Sequence, residues 1–219
     1  MSTSAAAPSR ADLPDSDPLV LSLFGLTVVS GIVDAVSYLG LGHVFAANMT
    51  GNVVVVGFAL AGAPGFSVPG SVTALGAFLL GAVLAGRFAA GRLRAALVAE
   101  TVLHLATAGV LFAVEADGAV QYATIGLLAL AMGIRNATVR SLGVPDLTTT
   151  VLTMTLTGLA ADSGAGSRSA RQRRRLLSAL TMLAGVVPGA VLVLHGQAGW
   201  AMVAGAALTA AALVLCHRR

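Results

Sequence analysis

The chain has 219 residues, of which 57% are hydrophobic and only 10% charged, with a formal net charge of +4 and a mean hydropathy of +0.89. A soluble domain carries about 25% charged residues, so a soluble fold could not cover its surface with so few. The composition implies an all-α, polytopic helical membrane protein. All 13 basic residues are arginines, and they fall in short gaps between apolar runs. That is how cytoplasmic loops of a membrane protein look, not a nucleic-acid surface. The one cysteine, Cys216, excludes an internal disulfide and a cysteine-based metal cage.

The first 18 residues, "MSTSAAAPSRADLPDSDP", are small, polar and Pro-containing. They lack the basic start and apolar core of a signal peptide and read as a disordered tail. Six apolar segments approach the roughly 20 residues needed to cross the hydrocarbon core: about 19–41, 71–91, 95–115, 120–142, 176–195 and 199–216. Two segments do not fit this pattern. One is 44–62, which carries "ANMTGNVVVVG"; the other is 147–161, "LTTTVLTMTLTGLAA", short and rich in Thr.

Arginine placement decides what these two segments do. Arg87, Arg92 and Arg94 lie between the second and third spans, Arg168, Arg171, Arg173, Arg174 and Arg175 precede the fifth, and Arg218 and Arg219 follow the sixth. If neither 44–62 nor 147–161 crosses, all three clusters lie on one side, with both termini cytoplasmic. The expectation is therefore six spans plus two broken or re-entrant segments in the bacterial plasma membrane.

An internal repeat supports the count. "GIVDAVSYLGLG" at Gly31 parallels "GIRNATVRSLGV" at Gly133, and "GAVL" at Gly81 returns at Gly189. A single membrane domain, 19–217, thus divides into repeats 19–115 and 120–217. Each reads as span, polar segment, span, span. Sequential copies of a three-span unit must be inverted, the usual plan of secondary transporters. In this reading Gly51 permits the first break, since non-helical backbone at membrane depth must be buried in protein or line a watery cavity.

The pieces "GIVDAVSYLGLGHVFAANMTGNVVVVGFAL" and "AMGIRNATVRSLGVPDLTTTVLTMTLTGLA" resemble the YoaK family of bacterial integral membrane proteins. The resemblance covers nearly the whole chain after the tail and rests on G-x-x-D-A combined with MTGN. It implies about six spans and brings no established substrate. Where the family would lead one to expect a Thr-Gly pair in the second half, this chain has Thr153-Met154.

Candidate site residues follow from depth. Asp34 lies well inside the first span, where a carboxylate is costly and is usually functional or paired. It fits a proton or cation relay, a solute ligand, a partner of Arg135, or a cap on the neighbouring polar segment. Arg135 could bind an anionic solute or neutralise Asp34, with the second reading preferred, and Arg140 reads as snorkelling to the interface. Asn48, Thr50, Asn52 and Asn136, with Thr149, Thr150 and Thr153, are placed to contact a polar solute or to hydrogen-bond helices together. Glu100 and His104 are one turn apart, a spacing that could bind a metal or shuttle a proton; two ligands are too few for a metal site, and the pair reads as interfacial, as do His43, His195 and His217. Gly185 and Gly189 permit close helix contact within the monomer.

No enzyme signature and no cofactor motif appears. The leading expectation is a transporter or channel-like permease for a small polar or charged solute. Its competitor is a non-transporting sensor, scaffold or accessory subunit whose polar motifs only hold the helices together, with the five-arginine loop on anionic lipid or a cytoplasmic partner. The expected partners are the bilayer and a small solute or ion, without nucleic acid; a homo-oligomer is compatible with the sequence.

Overall fold

The computed structural model describes residues 13–88, 91–143, 157 and 170–217. Helix α1, Pro18–Gly40, begins where the Asp17 side chain accepts from the Leu19 amide (2.8 Å) and Pro18 presets the first turn. Its 23 residues rise about 34 Å at 1.5 Å per residue, enough to cross a hydrocarbon core of about 30 Å. It is apolar and buried on nearly all sides, which makes it the central helix of the bundle. Helices α3 (Val68–Phe88), α4 (Leu93–Ala113), α5 (Gly118–Leu142), α6 (Ala170–Leu194) and α7 (Ala198–His217) are also long and apolar enough to cross. These six match the six spans expected from the sequence to within a few residues at most ends.

Helix α2, Met49–Leu60, has 12 residues and rises only about 18 Å. It does not need to cross, because the chain has already turned back. After α1 the backbone reverses at Gly42 (φ +87°) and His43 (φ +59°), conformations that favour glycine and cost a side-chain-bearing residue. Residues 44–48 then run back along α1. The Ala46 amide donates to Ser37 Oγ (3.1 Å) and the Ala47 amide to Asp34 Oδ1 (2.8 Å), successively deeper positions on α1. Asn48 caps α2, which carries the chain back until His43 Nδ1 lies 3.0 Å from the Gly65 carbonyl. The segment 44–62 is therefore re-entrant. Of 147–161 only Thr157 is described, in helical conformation; the rest lies outside the described residues.

The long helices pack in pairs: α3 along α5, α1 along α6 and α4 along α7, with α1 also against α7 and α4 against α5. Glycine sets the closest approaches. A Cβ on Gly31 would strike the Met182 carbonyl and one on Gly185 the Val28 carbonyl, joining α1 to α6. On the other side Gly81 meets Leu130 and Gly133 meets Phe78, joining α3 to α5. Gly189 also faces α1, at Ile32, so the Gly185–Gly189 motif serves packing within the monomer. Gly76 and Gly86 have open space.

Part of the tail departs from expectation. Leu13 is buried and Asp15 bridges Arg173 and Arg174 on α6 (2.7 and 3.0 Å), while Arg174 also donates to the Leu13 carbonyl. Two adjacent guanidinium groups anchor the acidic side chain, so order begins by residue 13 and not at Pro18.

Candidate functional site

Two polar clusters lie inside the bundle. The first secures the re-entrant segment. Asp34, 4% exposed on α1, accepts from Ala47, and the amides of Ala46 and Asn48 also face its carboxylate. Asn52 is fully buried and closes on Phe45 from the other side: its Oδ1 accepts from the Phe45 amide (2.8 Å) and its Nδ2 donates to the Phe45 carbonyl (2.6 Å). Irregular backbone far from water must find such partners, and these side chains supply them. Asn48 accepts from the Gly51 amide (3.3 Å) as the α2 cap, yet it and Thr50 remain exposed. Gly51 is helical, so it does not make the break; the Phe45 ring packs where its Cβ would stand.

The second cluster is built around Arg135 of α5, 1% exposed. Its Nη1 donates to the Leu26 carbonyl of α1 (2.9 Å) and to Glu100 Oε1 of α4 (3.1 Å). Its Nη2 donates to Ser30 Oγ and lies 3.1 Å from Met132 Sδ. The Ser30 hydroxyl in turn donates to the Leu26 carbonyl (3.1 Å). One guanidinium thus ties α1, α4 and α5 together.

This corrects two expectations. Arg135 is within electrostatic reach of Asp34, but its ion pair is with Glu100. The Asp34 oxygens instead face the re-entrant loop, which arrives one helical turn beyond Ser30. Glu100 and His104 are not interfacial: both have no exposure. His104 Nε2 is 4.0 Å from Glu100 Oε1. Among the described residues, Glu100 Oε2 and both imidazole nitrogens have no hydrogen-bond partner. Nothing local in the sequence reveals this, because the cation that buries Glu100 stands 35 residues away.

Of the other site residues expected from the sequence, Asn136 is half-buried on α5, next to Arg135 but outside the Arg135 hydrogen bonds, and Thr149, Thr150 and Thr153 lie outside the described residues. The structure brings Asp34, Asn48 and Asn52 together with Thr50 beside them, and places Arg135 in a separate cluster. Ser30, Ser37, Glu100 and His104 were not among the expected site residues. Among the described residues no group of three or more His, Cys, Asp or Glu side chains could hold a metal ion.

Six crossing helices around a buried polar interior define a multi-pass helical membrane protein. The chain matches, over residues 22–215, the family described as "Protein of unknown function (DUF1275)", and it belongs to that family. It is 33% identical over 156 residues to the UPF0700 transmembrane protein YoaK of Bacillus subtilis (strain 168), an alignment covering 65% of this chain and 65% of that relative's length. No solved structure matches the chain.

Proposed function

We propose that the protein is a non-enzymatic transporter or channel-like permease of the bacterial plasma membrane, with both termini cytoplasmic, for a small polar or charged solute. The observation that carries this reading is the interruption at 41–48. It is sealed against α1 by Asp34, Ser37 and Asn52, yet leaves Asn48 and Thr50 exposed at the amino end of α2. A broken helix whose positive end opens toward the protein interior is how secondary transporters bind anionic and polar groups. Asn48 and Thr50 are the side chains offered to the solute. Asp34 and Asn52 hold the loop behind them, Arg135 and Asn136 belong to the second half, away from this loop, and Thr149, Thr150 and Thr153 are the counterpart set in sequence.

Two inverted halves fit this reading. Val28 and Gly31 stand in the same spacing as Leu130 and Gly133, and Phe78 and Gly81 in the same spacing as Met182 and Gly185. Each pair meets the opposite helix in the equivalent way, α1 on α6 and α5 on α3. That register pairs Gly81 with Gly185, so the repeated word "GAVL" is one turn out of step. A cytoplasmic position for both termini is supported by Arg87, Arg92 and Arg94 at one end of α3 and α4, the end that matches Arg173 and Arg174 on α6.

A solute panel tests the proposal. The purified protein is melted with amino acids, nucleobases, sugars, organic anions and metal ions, beside Thr50→Val and Asn48→Ala. A true ligand at about 100 times its Kd stabilises by about 2.7 kcal/mol. The expected result is one class that stabilises the wild type, fails with Thr50→Val at unchanged unliganded melting temperature, and moves across reconstituted vesicles. No stabilising class and no flux would overturn it. That result would favour the second reading, a non-transporting membrane protein. Its support is that Asp34 and Asn52 already spend their polar atoms on loop backbone.

A further inference from the structure

The permease reading leaves Glu100 and His104 without a task. Both are fully buried, one turn apart in the middle part of α4, and three of their polar atoms have no partner. Unpaired polar atoms in such a place are costly. A structural salt bridge to Arg135 explains Glu100 Oε1 but not Oε2, and it does not explain an imidazole there at all.

The surroundings restrict what could bind. A Cβ on Gly205 of α7 would stand at ordinary contact distance from His104 Nδ1, 3.8 Å, so the space beside the ring takes one carbon atom, and neither Glu100 nor His104 has any exposure to admit an organic solute. A metal ion would find two ligand residues beside the Arg135 cation. From α5 the facing charge is Arg135; from α1 it is Asp34, one turn beyond Ser30 and taken up by the Ala47 amide. From α7 come Gly205 and Thr209, whose hydroxyl donates to the Gly205 carbonyl (2.9 Å), and no titratable group. The one ligand that needs no space is a proton.

We propose that Glu100 and His104 form a proton-binding site at the centre of the bundle, and that its occupancy sets how firmly Arg135 ties α4 and α5 to α1. A hydronium ion gives up one O–H bond and leaves as water while an O–H bond forms at Glu100 Oε2 or an N–H bond at an imidazole nitrogen; no oxidation state changes. With Glu100 neutral, Arg135 loses its counter-ion and keeps only uncharged partners: the Leu26 carbonyl, the Ser30 hydroxyl, the Met132 sulfur and the neutral Glu100 Oε1. This deepens the permease reading by naming the coupling ion and rests on that reading for its role in transport. The protonation itself requires no solute, so it stands or falls separately.

The test is infrared titration of the full-length protein in nanodiscs, with Glu100→Gln, Asp34→Asn and His104→Gln alongside. The expected result is a protonated-carboxyl band appearing as the pH is lowered across the interval in which the protein stays folded. It is absent from Glu100→Gln, retained in Asp34→Asn, and displaced by about one pH unit in His104→Gln, because the two sites titrate as a pair. A Glu100 carboxylate that stays ionised across that interval, or a band indifferent to His104→Gln, would overturn the proposal. Should Glu100→Gln not assemble, the wild-type His104 ring resonances carry the test: they move over the same interval if the site is shared, and their constancy there would equally sink it.

Discussion

Arg135 shows how much a single side chain can decide when charges are this sparse. Its guanidinium satisfies a carbonyl, a hydroxyl and a carboxylate on two other helices. Removing one partner of a buried pair leaves an uncompensated charge, at a cost of about 3–5 kcal/mol. Arg135→Leu is expected to lose that much in reversible unfolding, and Arg135→Leu with Glu100→Gln to recover part of it; a double-variant loss equal to the sum of the two single losses would mean the two residues are energetically independent. Asp15 makes a different kind of pair, at the edge of the bundle. Burial pushes its carboxyl up, but hydrogen bonds from Arg173 and then Arg174, with their charges, outweigh this and hold it below the ordinary value of 3.8. A depressed folded pKa contributes stability above the unfolded value, lost as pH falls through the folded one. Melting of Asp15→Asn should therefore trail the wild type by about 0.5–1 kcal/mol at pH 7, the range of partly exposed pairs. The difference should shrink as pH falls through the folded pKa and close only below it, where the carboxyl is neutral in both states. A gap unchanged by pH would assign the loss to packing.

Among the elements, the re-entrant segment divides what the sequence reveals from what it conceals. Apolar runs of spanning length announce the six long helices, and a polar group in "ANMTGNVVVVG" announces a seventh segment unlike them. Composition could not say where the backbone turns. Gly51 looks like the hinge, but the reversal uses Gly42 and His43, and Asn48 starts α2. Gly51 is small because Phe45 needs its space, a contact visible only after the chain has folded back. Likewise Glu100 reads as near the cytoplasmic end when depth is counted from Arg94. Counting along one helix cannot tell which face meets Arg135. Asn52→Ala would strip the Phe45 amide and carbonyl of their partner, at about 1–3 kcal/mol for each buried group left unsatisfied. Hydrogen exchange should accelerate at 44–47 while α1 stays protected; uniform exchange would show that Asn52 does not secure the loop. Gly31→Ala and Gly185→Ala should each lower the melting temperature by forcing α1 from α6, with Gly76→Ala, which has open space, as the neutral control.

For the whole molecule the deciding quantity is an odd number. In the inverted arrangement we propose, a half with three crossings delivers the second half upside down, so that α1 on α6 and α5 on α3 would be the same contact seen from opposite sides. A half with four crossings would make the halves parallel and put the arginine clusters on both sides of the membrane, against the usual charge distribution. The re-entrant path of 44–62 gives the first half three crossings: α1, α3 and α4. Orientation can then be read with single cysteines in a Cys216→Ala background, at exposed positions in three turns. Ala61→Cys follows α2, Gln197→Cys lies between α6 and α7, and Arg92→Cys lies between α3 and α4. In intact cells an impermeant thiol reagent should label Ala61→Cys and Gln197→Cys and spare Arg92→Cys until the membrane is opened. Labelling at Gln197→Cys depends on the second half being inverted, because an additional crossing between α5 and α6 would move that turn inside. Protection there, with Ala61→Cys still reactive, would locate the extra crossing in the second half and dissolve the inverted pair. Labelling at Arg92→Cys alone would turn the whole molecule over and leave its internal symmetry intact.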